Sequence, residues 1–211
     1  MDQTTLDAQN TYFEIFGLPR HLNVDTAALE KAFYSQSRTL HPDRFVGRPE
    51  AEQESALRVS SRLNDAYRTL KEPIARTEYL LELEGIHLEE QSRAATDAAK
   101  AAGTPKKQIA PPDLLEEAFE LNMQLEEMRM AKKMGEDDPQ LRKDLESAKA
   151  TFDGKMAETQ SELEALWSRW DAALDANDAA GKTAARDGMV ALLNRRSYLR
   201  NLVRDVNEAL E

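Results

Sequence analysis

The chain has 211 residues, of which 41% are hydrophobic and 32% charged, and its formal net charge at pH 7 is -11. This length allows one or two domains, and the acidic balance argues against nucleic acid as the main partner because phosphate binding requires clustered positive charge. The chain has no cysteine, three scattered histidines without metal-ligand spacing and no apolar run of membrane-spanning length, so we expect no disulfide, metal or membrane contact.

The chain opens with Met1-Asp2-Gln3-Thr4, which lacks the basic and apolar regions of a secretion signal. Together with the lack of cysteine, this favours a cytoplasmic protein. Few segments alternate with a period of two, so the fold class is expected to be all-α.

Residues 1–85 are predicted to form one domain with four helices. Helical periodicity and cap residues place them at 11–16, 24–40, 49–72 and from 73 to a stop at Gly85. Asp25 is the expected N-cap of the second helix, and Pro49 stands in the first turn of the third. The second and third helices would pair as a hairpin through their apolar stripes.

The turn between these two helices carries His41-Pro42-Asp43. Pro42 has no N–H to donate and disfavours a helical conformation at His41, so the second helix must end there. An imidazole and a carboxylate are then held at an exposed turn. Taken alone, a histidine and an aspartate at a turn are more often ordinary surface residues than a catalytic dyad. No nucleophile elbow, glycine-rich loop or metal cluster accompanies them in the sequence, so we expect no enzymatic activity.

Residues 86–112 are rich in alanine and lysine and contain Gly103-Thr104-Pro105 and Pro111-Pro112, which predicts a linker or a loosely packed insertion. From residue 113 to 211, three blocks of helical periodicity are separated by breaks near Gly135 and near residues 177–181. Short breaks between long helices favour an antiparallel three-helix bundle. A homo-oligomeric coiled coil is the competing interpretation of the same spacing, and it leaves open self-association through this domain.

The helix that begins near residue 113 carries two apolar rows. One row, of Leu114 and its helical repeats, accounts for a bundle core, whereas Leu115, Phe119 and Met123 form another at intervals of four residues. A second row is either part of a wide buried face or an exposed site for a partner.

Three blocks in order resemble the HscB-type J-domain co-chaperone family. They are Tyr12–Pro19 (YFEIFGLP), His41–Phe45 (HPDRF) and the junction Asn64–Pro73 (NDAYRTLKEP), followed by Arg76–Leu81 (RTEYLL). The junction distinguishes this family from ordinary DnaJ-type domains better than the turn does. The resemblance covers residues 11–85 closely and residues 112–211 more loosely.

The resemblance implies docking on a DnaK- or HscA-type ATPase chaperone and stimulation of its ATP hydrolysis, with His41, Pro42 and Asp43 as the essential contact. Residues 20–76 carry ten basic against eight acidic side chains, an excess of two positive charges in an acidic chain. Lys31 and Arg38 share one helix face leading to the turn. The resemblance makes this face, with Arg44, the electrostatic contact with the ATPase.

The resemblance also implies that residues 114–121 belong to a client-binding helix, which engages the scaffold protein on which iron–sulfur clusters are built. Leu115 and Phe119 fall on two of its apolar contact positions, and Met123 continues the row. The third position is Glu116, an acid where the family usually has an apolar residue, and Arg195 falls near a position where the family has an aromatic one. A different client therefore stays open.

We thus expect a two-domain co-chaperone without a cofactor, which delivers the iron–sulfur scaffold to a dedicated chaperone. The alternatives are a J-protein with another client and a structural coiled-coil protein whose J-like region is vestigial. The first is suggested by Glu116 and by the alanine-rich segment at 86–112.

Overall fold

A computed structural model describes residues 10–86, 88, 111–136 and 138–211. These residues form helices and connecting turns, with no strand among them, which confirms the all-α fold class. The chain divides into two compact units. One unit runs to Ile86 and includes Trp167–Ala185, and the other contains the residues between Ile86 and Trp167 together with Arg186–Glu211.

The first unit contains four helices from the N-terminal part of the chain. They are α1 (Tyr12–Ile15), α2 (Thr26–Leu40), α3 (Glu50–Lys71) and α4 (Pro73–Leu83), with a single 3-10 turn at Pro42–Phe45. As predicted, Asp25 caps α2: its carboxylate accepts hydrogen bonds from the N–H groups of Ala27 and Ala28, each 3.0 Å long. This cap fixes where α2 begins, and Pro42 fixes where it ends.

The helical hairpin α2–α3 is packed against α1 through an apolar core. Ile15, Leu63 and Ala66 are buried at its centre, and partly buried aromatic rings surround them. The rings of Phe33 and Tyr67 stack at 4.2 Å and join α2 to α3. These contacts hold the two helices that flank residues 41–43.

Three helices follow in the C-terminal part of the chain: α5 (Leu115–Met134), α6 (Pro139–Asp175) and α7 (Ala179–Leu210). The junction between α6 and α7 belongs to the first unit. Within the first unit, Asp171 accepts hydrogen bonds from the N–H groups of Leu22, at 2.6 Å, and Asn23, at 2.9 Å. The indole N–H of Trp170 donates to the Arg20 carbonyl at 3.0 Å. The chain leading into α2 is therefore held by residues more than a hundred positions later.

This grouping differs from the domain expected at residues 113–211. The sequence predicted one bundle over that whole range, whereas Trp167–Ala185 group with the N-terminal residues. The physical reason is the set of hydrogen bonds from Trp170 and Asp171 to residues 20–23. The linker predicted at 86–112 falls outside the described residues except at 86, 88, 111 and 112.

The second unit packs α5, α6 and α7 around one core. Its buried side chains come from all three helices: Leu114, Ala118, Leu121, Leu125 and Met128; Leu141, Leu145 and Phe152; Leu199, Leu202 and Val206. Lys155 pairs with Glu117 at 3.0 Å and Arg142 donates to the Leu210 carbonyl at 3.0 Å, so successive helices run in opposite directions. No helix in the described part of the chain has the length and apolar character required to cross a bilayer.

Candidate functional site

Residues 41–43 form an exposed corner between α2 and α3, which we call the His-Pro-Asp turn. His41 has left the helical region, with φ -61° and ψ 130°, because Pro42 follows it. The imidazole Nδ1 accepts a hydrogen bond from the Asp43 N–H at 3.3 Å. The side chains of His41 and Asp43 are 54% and 86% exposed, so both polar ends face solvent.

The hydrogen bond at Nδ1 decides what the turn presents. With Nδ1 accepting, the neutral imidazole carries its proton on Nε2, which then points a donor outward. The Asp43 carboxylate lies with its Oδ2 3.4 Å from Nδ1 and is largely exposed. The anionic acceptor suits a charge-assisted hydrogen bond to a basic group of a partner, whereas the imidazole donor suits a carbonyl or carboxylate oxygen.

Arg44 has a structural contact that the sequence analysis missed. Its Nη1 donates to the carbonyl of Arg38 at 3.3 Å, near the C-terminal end of α2. The last carbonyls of a helix lack partners within the helix, and a basic side chain beyond the end can bond to them. Arg44 therefore braces the His-Pro-Asp turn as well as adding positive charge. The sequence signal for this contact was a basic residue four positions after Leu40, the last residue of α2.

The exposed side of α2 carries Lys31, Tyr34 and Arg38, which we call the α2 face. These residues line a shallow depression with their helical neighbours Ala27, Glu30, Ser35 and Thr39. Tyr34 is 56% exposed between the two cations and was not singled out from the sequence. Its spacing of three from Lys31 and four from Arg38 was the signal that placed it on this face.

Glu30 at the rim of this face is occupied by other groups. The Tyr67 hydroxyl donates to Glu30 at 3.0 Å, and the Lys71 ammonium donates to Tyr67 at 3.1 Å. The hydrogen bond to Tyr67, with the charge of Glu30 adding to it, raises the pKa of Lys71. Because Glu30 already has partners on α3, Lys31 and Arg38 determine the charge of the α2 face, which is positive.

The second candidate surface lies on α5. Leu115, Phe119 and Met123 are 55%, 71% and 61% exposed, and Met130 and Met134 further along the helix are 52% and 67% exposed. With about 100° between successive residues, all five fall within an arc of about 100°. We call these five side chains the α5 row. Large apolar groups in one exposed line are uncommon on a monomer surface.

The α5 row lies on the side of the helix opposite the core. The buried residues of α5, from Ala118 to Ala131, centre about 180° away from the row at the same rotation per residue. A wide core face would place the two sets side by side. The alternative that Leu115, Phe119 and Met123 pack inside the bundle is therefore wrong.

Arg195 lies beside the beginning of this helix. Its guanidinium pairs with the Asp113 carboxylate, and this ion pair holds the pKa of Asp113 below its usual range. Tyr198 is partly buried against the core of the second unit, and burial raises the pKa of its hydroxyl. Neither residue belongs to the α5 row.

Comparison with known sequences identifies the N-terminal part of the chain. The family described as the DnaJ domain matches residues 11–79. A "Co-chaperone protein HscB homolog" of Azoarcus sp. is 34% identical over 131 residues, which are 62% of this chain and 66% of that protein. A second protein of that description, from Aromatoleum aromaticum, is 42% identical over 82 residues, or 39% of this chain and 46% of the relative. The matched region thus spans between about half and two thirds of these relatives.

Solved structures share the fold at lower identity. The crystal structure of human co-chaperone protein HscB has a TM-score of 0.60 and 22% identity, covering 96% of this chain and 83% of the human one. Chaperone HscB from Vibrio cholerae has a TM-score of 0.50 and 22% identity, covering 91% and 96%. At this identity the two similarities show a common arrangement of helices.

Proposed function

The chain is an HscB-type J-domain protein, and from this premise we propose that it is a co-chaperone in iron–sulfur cluster assembly. It would dock on an Hsp70-type ATPase chaperone of the DnaK or HscA kind, accelerate ATP hydrolysis there and deliver the cluster scaffold protein as client. It performs no bond chemistry itself in this proposal and needs no cofactor.

The observation that carries the proposal is the His-Pro-Asp turn. Within the DnaJ-matched region, an exposed imidazole donor and an exposed carboxylate are fixed by Pro42 at the corner of a packed helical hairpin. The α2 face continues this surface with Lys31 and Arg38, both exposed. A complementary chaperone surface would place an arginine opposite Asp43 and acidic side chains opposite Lys31 and Arg38.

The α5 row supports the delivery step. Leu115, Phe119 and Met123 are the residues we propose as the client contact, and all three are exposed on the side of α5 away from the core. An apolar line on a helix docks into an apolar groove of a partner and releases water from both. The client is proposed to be the iron–sulfur scaffold because the chain belongs with the HscB-type proteins.

The proposal is tested by measuring ATP turnover of the purified chaperone with this protein, with the scaffold and with both. We expect this protein to accelerate turnover alone and to accelerate it further with the scaffold present. Direct binding of the scaffold, measured by titration calorimetry, separates the two steps. Unchanged turnover under all conditions would contradict the chaperone role, and absent scaffold binding would contradict the client assignment.

A further inference from the structure

Residues 20–23, which lead into α2, are held by Trp170 and Asp171 of α6, and we call these two side chains the α6 clamp. Both oxygens of the Asp171 carboxylate are used. Oδ1 accepts a hydrogen bond from the Leu22 N–H at 2.6 Å, and Oδ2 accepts from the Asn23 N–H at 2.9 Å and from the Asn23 side-chain amide at 2.8 Å. An asparagine at position 171 would have one oxygen instead of two, so it could not accept from both backbone N–H groups.

Trp170 is itself fixed within the first unit. Its side chain is buried, and its indole N–H donates to the Arg20 carbonyl at 3.0 Å. The ammonium group of Lys182, on α7, lies 5.0 Å from the centre of the indole ring. The clamp therefore bonds to the backbone of residues 20, 22 and 23 from a position that other side chains keep fixed.

The charge of Asp171 also compensates a buried cation. Arg76, on α4, is 4% exposed, and its Nη1 donates to the Leu70 carbonyl. Its Nε has no hydrogen-bond partner among the described residues. Burial lowers the pKa of Arg76, and the negative charges of Asp171 and Glu72 oppose that lowering. A neutral residue at position 171 would therefore leave this guanidinium less well compensated.

The helix that follows the clamped residues has little packing of its own. Of the fifteen residues of α2, Leu29 alone is buried, whereas α3 buries four of its 22 residues. The last turn of α2 is braced by the hydrogen bond from Arg44 to the Arg38 carbonyl. The first turn has the Asp25 cap, which comes two residues after Asn23. The position of this first turn therefore depends on how residues 20–23 are held.

We propose that Asp171 is a positioning residue for chaperone binding. By fixing residues 22 and 23 it holds the beginning of α2, and with it the α2 face, in the orientation that the chaperone binds. A surface that is already ordered loses less conformational entropy when it binds, so its affinity is higher. This inference rests on the proposed docking on an Hsp70-type chaperone. It makes a residue of α6, far later in the chain, responsible for part of the order of that docking surface.

Loss of positioning differs from loss of a contact in what it changes. Once the complex has formed, the His-Pro-Asp turn and the α2 face are the same, so maximal stimulation of the chaperone should be kept. The concentration for half-maximal stimulation should rise, because α2 must then be ordered during binding. Since no cation of the α2 face is removed, the change should be the same at low and at high salt.

The test is a titration of the purified chaperone with the full chain, followed by steady-state ATP turnover. Asp171→Asn keeps the shape of the side chain but loses one acceptor oxygen. We expect the half-maximal concentration to rise about three- to tenfold at unchanged maximal stimulation and independently of salt. A wild-type half-maximal concentration in the folded variant would overturn the inference, and so would a loss confined to maximal stimulation.

Two control variants separate positioning from charge and from stability. Asp175→Asn removes the same charge from α6, but this carboxylate bonds to the side chain of His21 at 2.9 Å and not to the backbone. Leu80→Val removes buried volume from α4 and lowers stability, while the hydrogen bonds of Asp171 stay in place. Both variants should keep the half-maximal concentration within about twofold of wild type. An equal rise in either control would reject a specific role of Asp171.

Hydrogen exchange of the full chain reports directly on the order of α2. In Asp171→Asn the amides of Leu22 and Asn23 should exchange at least about tenfold faster, and those of residues 29–31 about threefold faster. The amides of Leu63 and Ala66 on α3 should keep their rates. Unchanged exchange at residues 29–31 would show that the order of α2 does not depend on the clamp, and it would reject the inference.

The two measurements together separate this inference from the proposed function. If wild type stimulates the chaperone and Asp171→Asn shows both the higher half-maximal concentration and the faster exchange, both stand. If wild type and Asp171→Asn stimulate equally, the positioning role fails and the proposed function stands. If wild type does not stimulate the chaperone, the proposed function fails and the role of Asp171 in chaperone binding fails with it.

Discussion

The His-Pro-Asp turn and the α5 row present opposite chemistry to solvent. The turn offers one imidazole and one carboxylate at a corner fixed by a proline, and its neighbouring face is basic. The row offers five large apolar side chains along a regular helix. A small polar contact gains specificity from geometry and charge, whereas a long apolar contact gains affinity from buried area.

The difference suits the two tasks that we propose. A contact that triggers turnover must form and release in each cycle, so a modest polar contact is sufficient. A contact that carries a client must last until the client reaches the chaperone. Burial of apolar side chains strengthens such a contact because it releases water from their surfaces. Each surface should therefore respond to its own substitutions.

The largest expected effect comes from truncating the first half of the α5 row. Leu115→Ala with Phe119→Ala should weaken binding of the scaffold about 100-fold or more, because central apolar anchors dominate such interfaces. Stimulation of the chaperone by the variant alone should stay at the wild-type level. Calorimetry gives the first value and steady-state ATP turnover the second. Loss of both activities would show that the two surfaces do not act independently and would contradict the comparison.

An intermediate effect is expected from the residues that hold the chain before α2. Asp171→Ala removes the acceptor for the N–H groups of Leu22 and Asn23 and for the Asn23 amide at 2.8 Å. We expect the first unit to lose about 1–3 kcal/mol of unfolding free energy. Both tryptophans of the chain, Trp167 and Trp170, lie in that unit, so their fluorescence during urea unfolding reports on it.

The matched control for that substitution is Asp153→Ala. This acid is also on α6 but pairs with Lys149 in the second unit, at 2.8 Å on an exposed surface. Asp153→Ala should lower the unfolding free energy by less than about 1 kcal/mol. An equal loss in the two variants would mean that the hydrogen bonds to residues 22 and 23 contribute nothing particular to the first unit.

A smaller effect is expected from reversing charge on the α2 face. Lys31→Glu with Arg38→Glu should raise the concentration needed for half-maximal ATPase stimulation about three- to tenfold, because steering charges act mainly on association. Maximal stimulation should change little, since the turn itself is intact. Adding salt should narrow the difference between the variant and the wild type. A salt-independent difference would point to a contact other than charge.

Local signals in the sequence predicted much of the fold. The N-cap at Asp25, the end of α2 before Pro42 and the core row from Leu114 to Met128 were all correct. Each depends on residues within a few positions, through steric exclusion, hydrogen bonding or helical periodicity. The position of the His-Pro-Asp turn followed from the same local rules.

Other features depend on distant parts of the chain and could not be predicted. The docking of Trp170 and Asp171 on residues 20–23 joins positions about 150 residues apart, as their hydrogen bonds show. In α7, apolar neighbours at 192–193 and 202–203 made the buried stripe ambiguous. Leu193 and Leu202 are buried, whereas their apolar neighbours Leu192 and Val203 are only partly buried.

The central claim is that the exposed carboxylate of the turn acts on a chaperone ATPase. Asp43→Asn keeps the size of the side chain and removes its charge. The control is Asp65→Asn, which removes the charge of a partly exposed carboxylate that pairs with Arg68 on α3. Steady-state ATP turnover of the purified chaperone is the measurement. The account predicts that Asp43→Asn abolishes stimulation while Asp65→Asn and the melting temperatures stay near wild type. Full stimulation by a folded Asp43→Asn protein would contradict it.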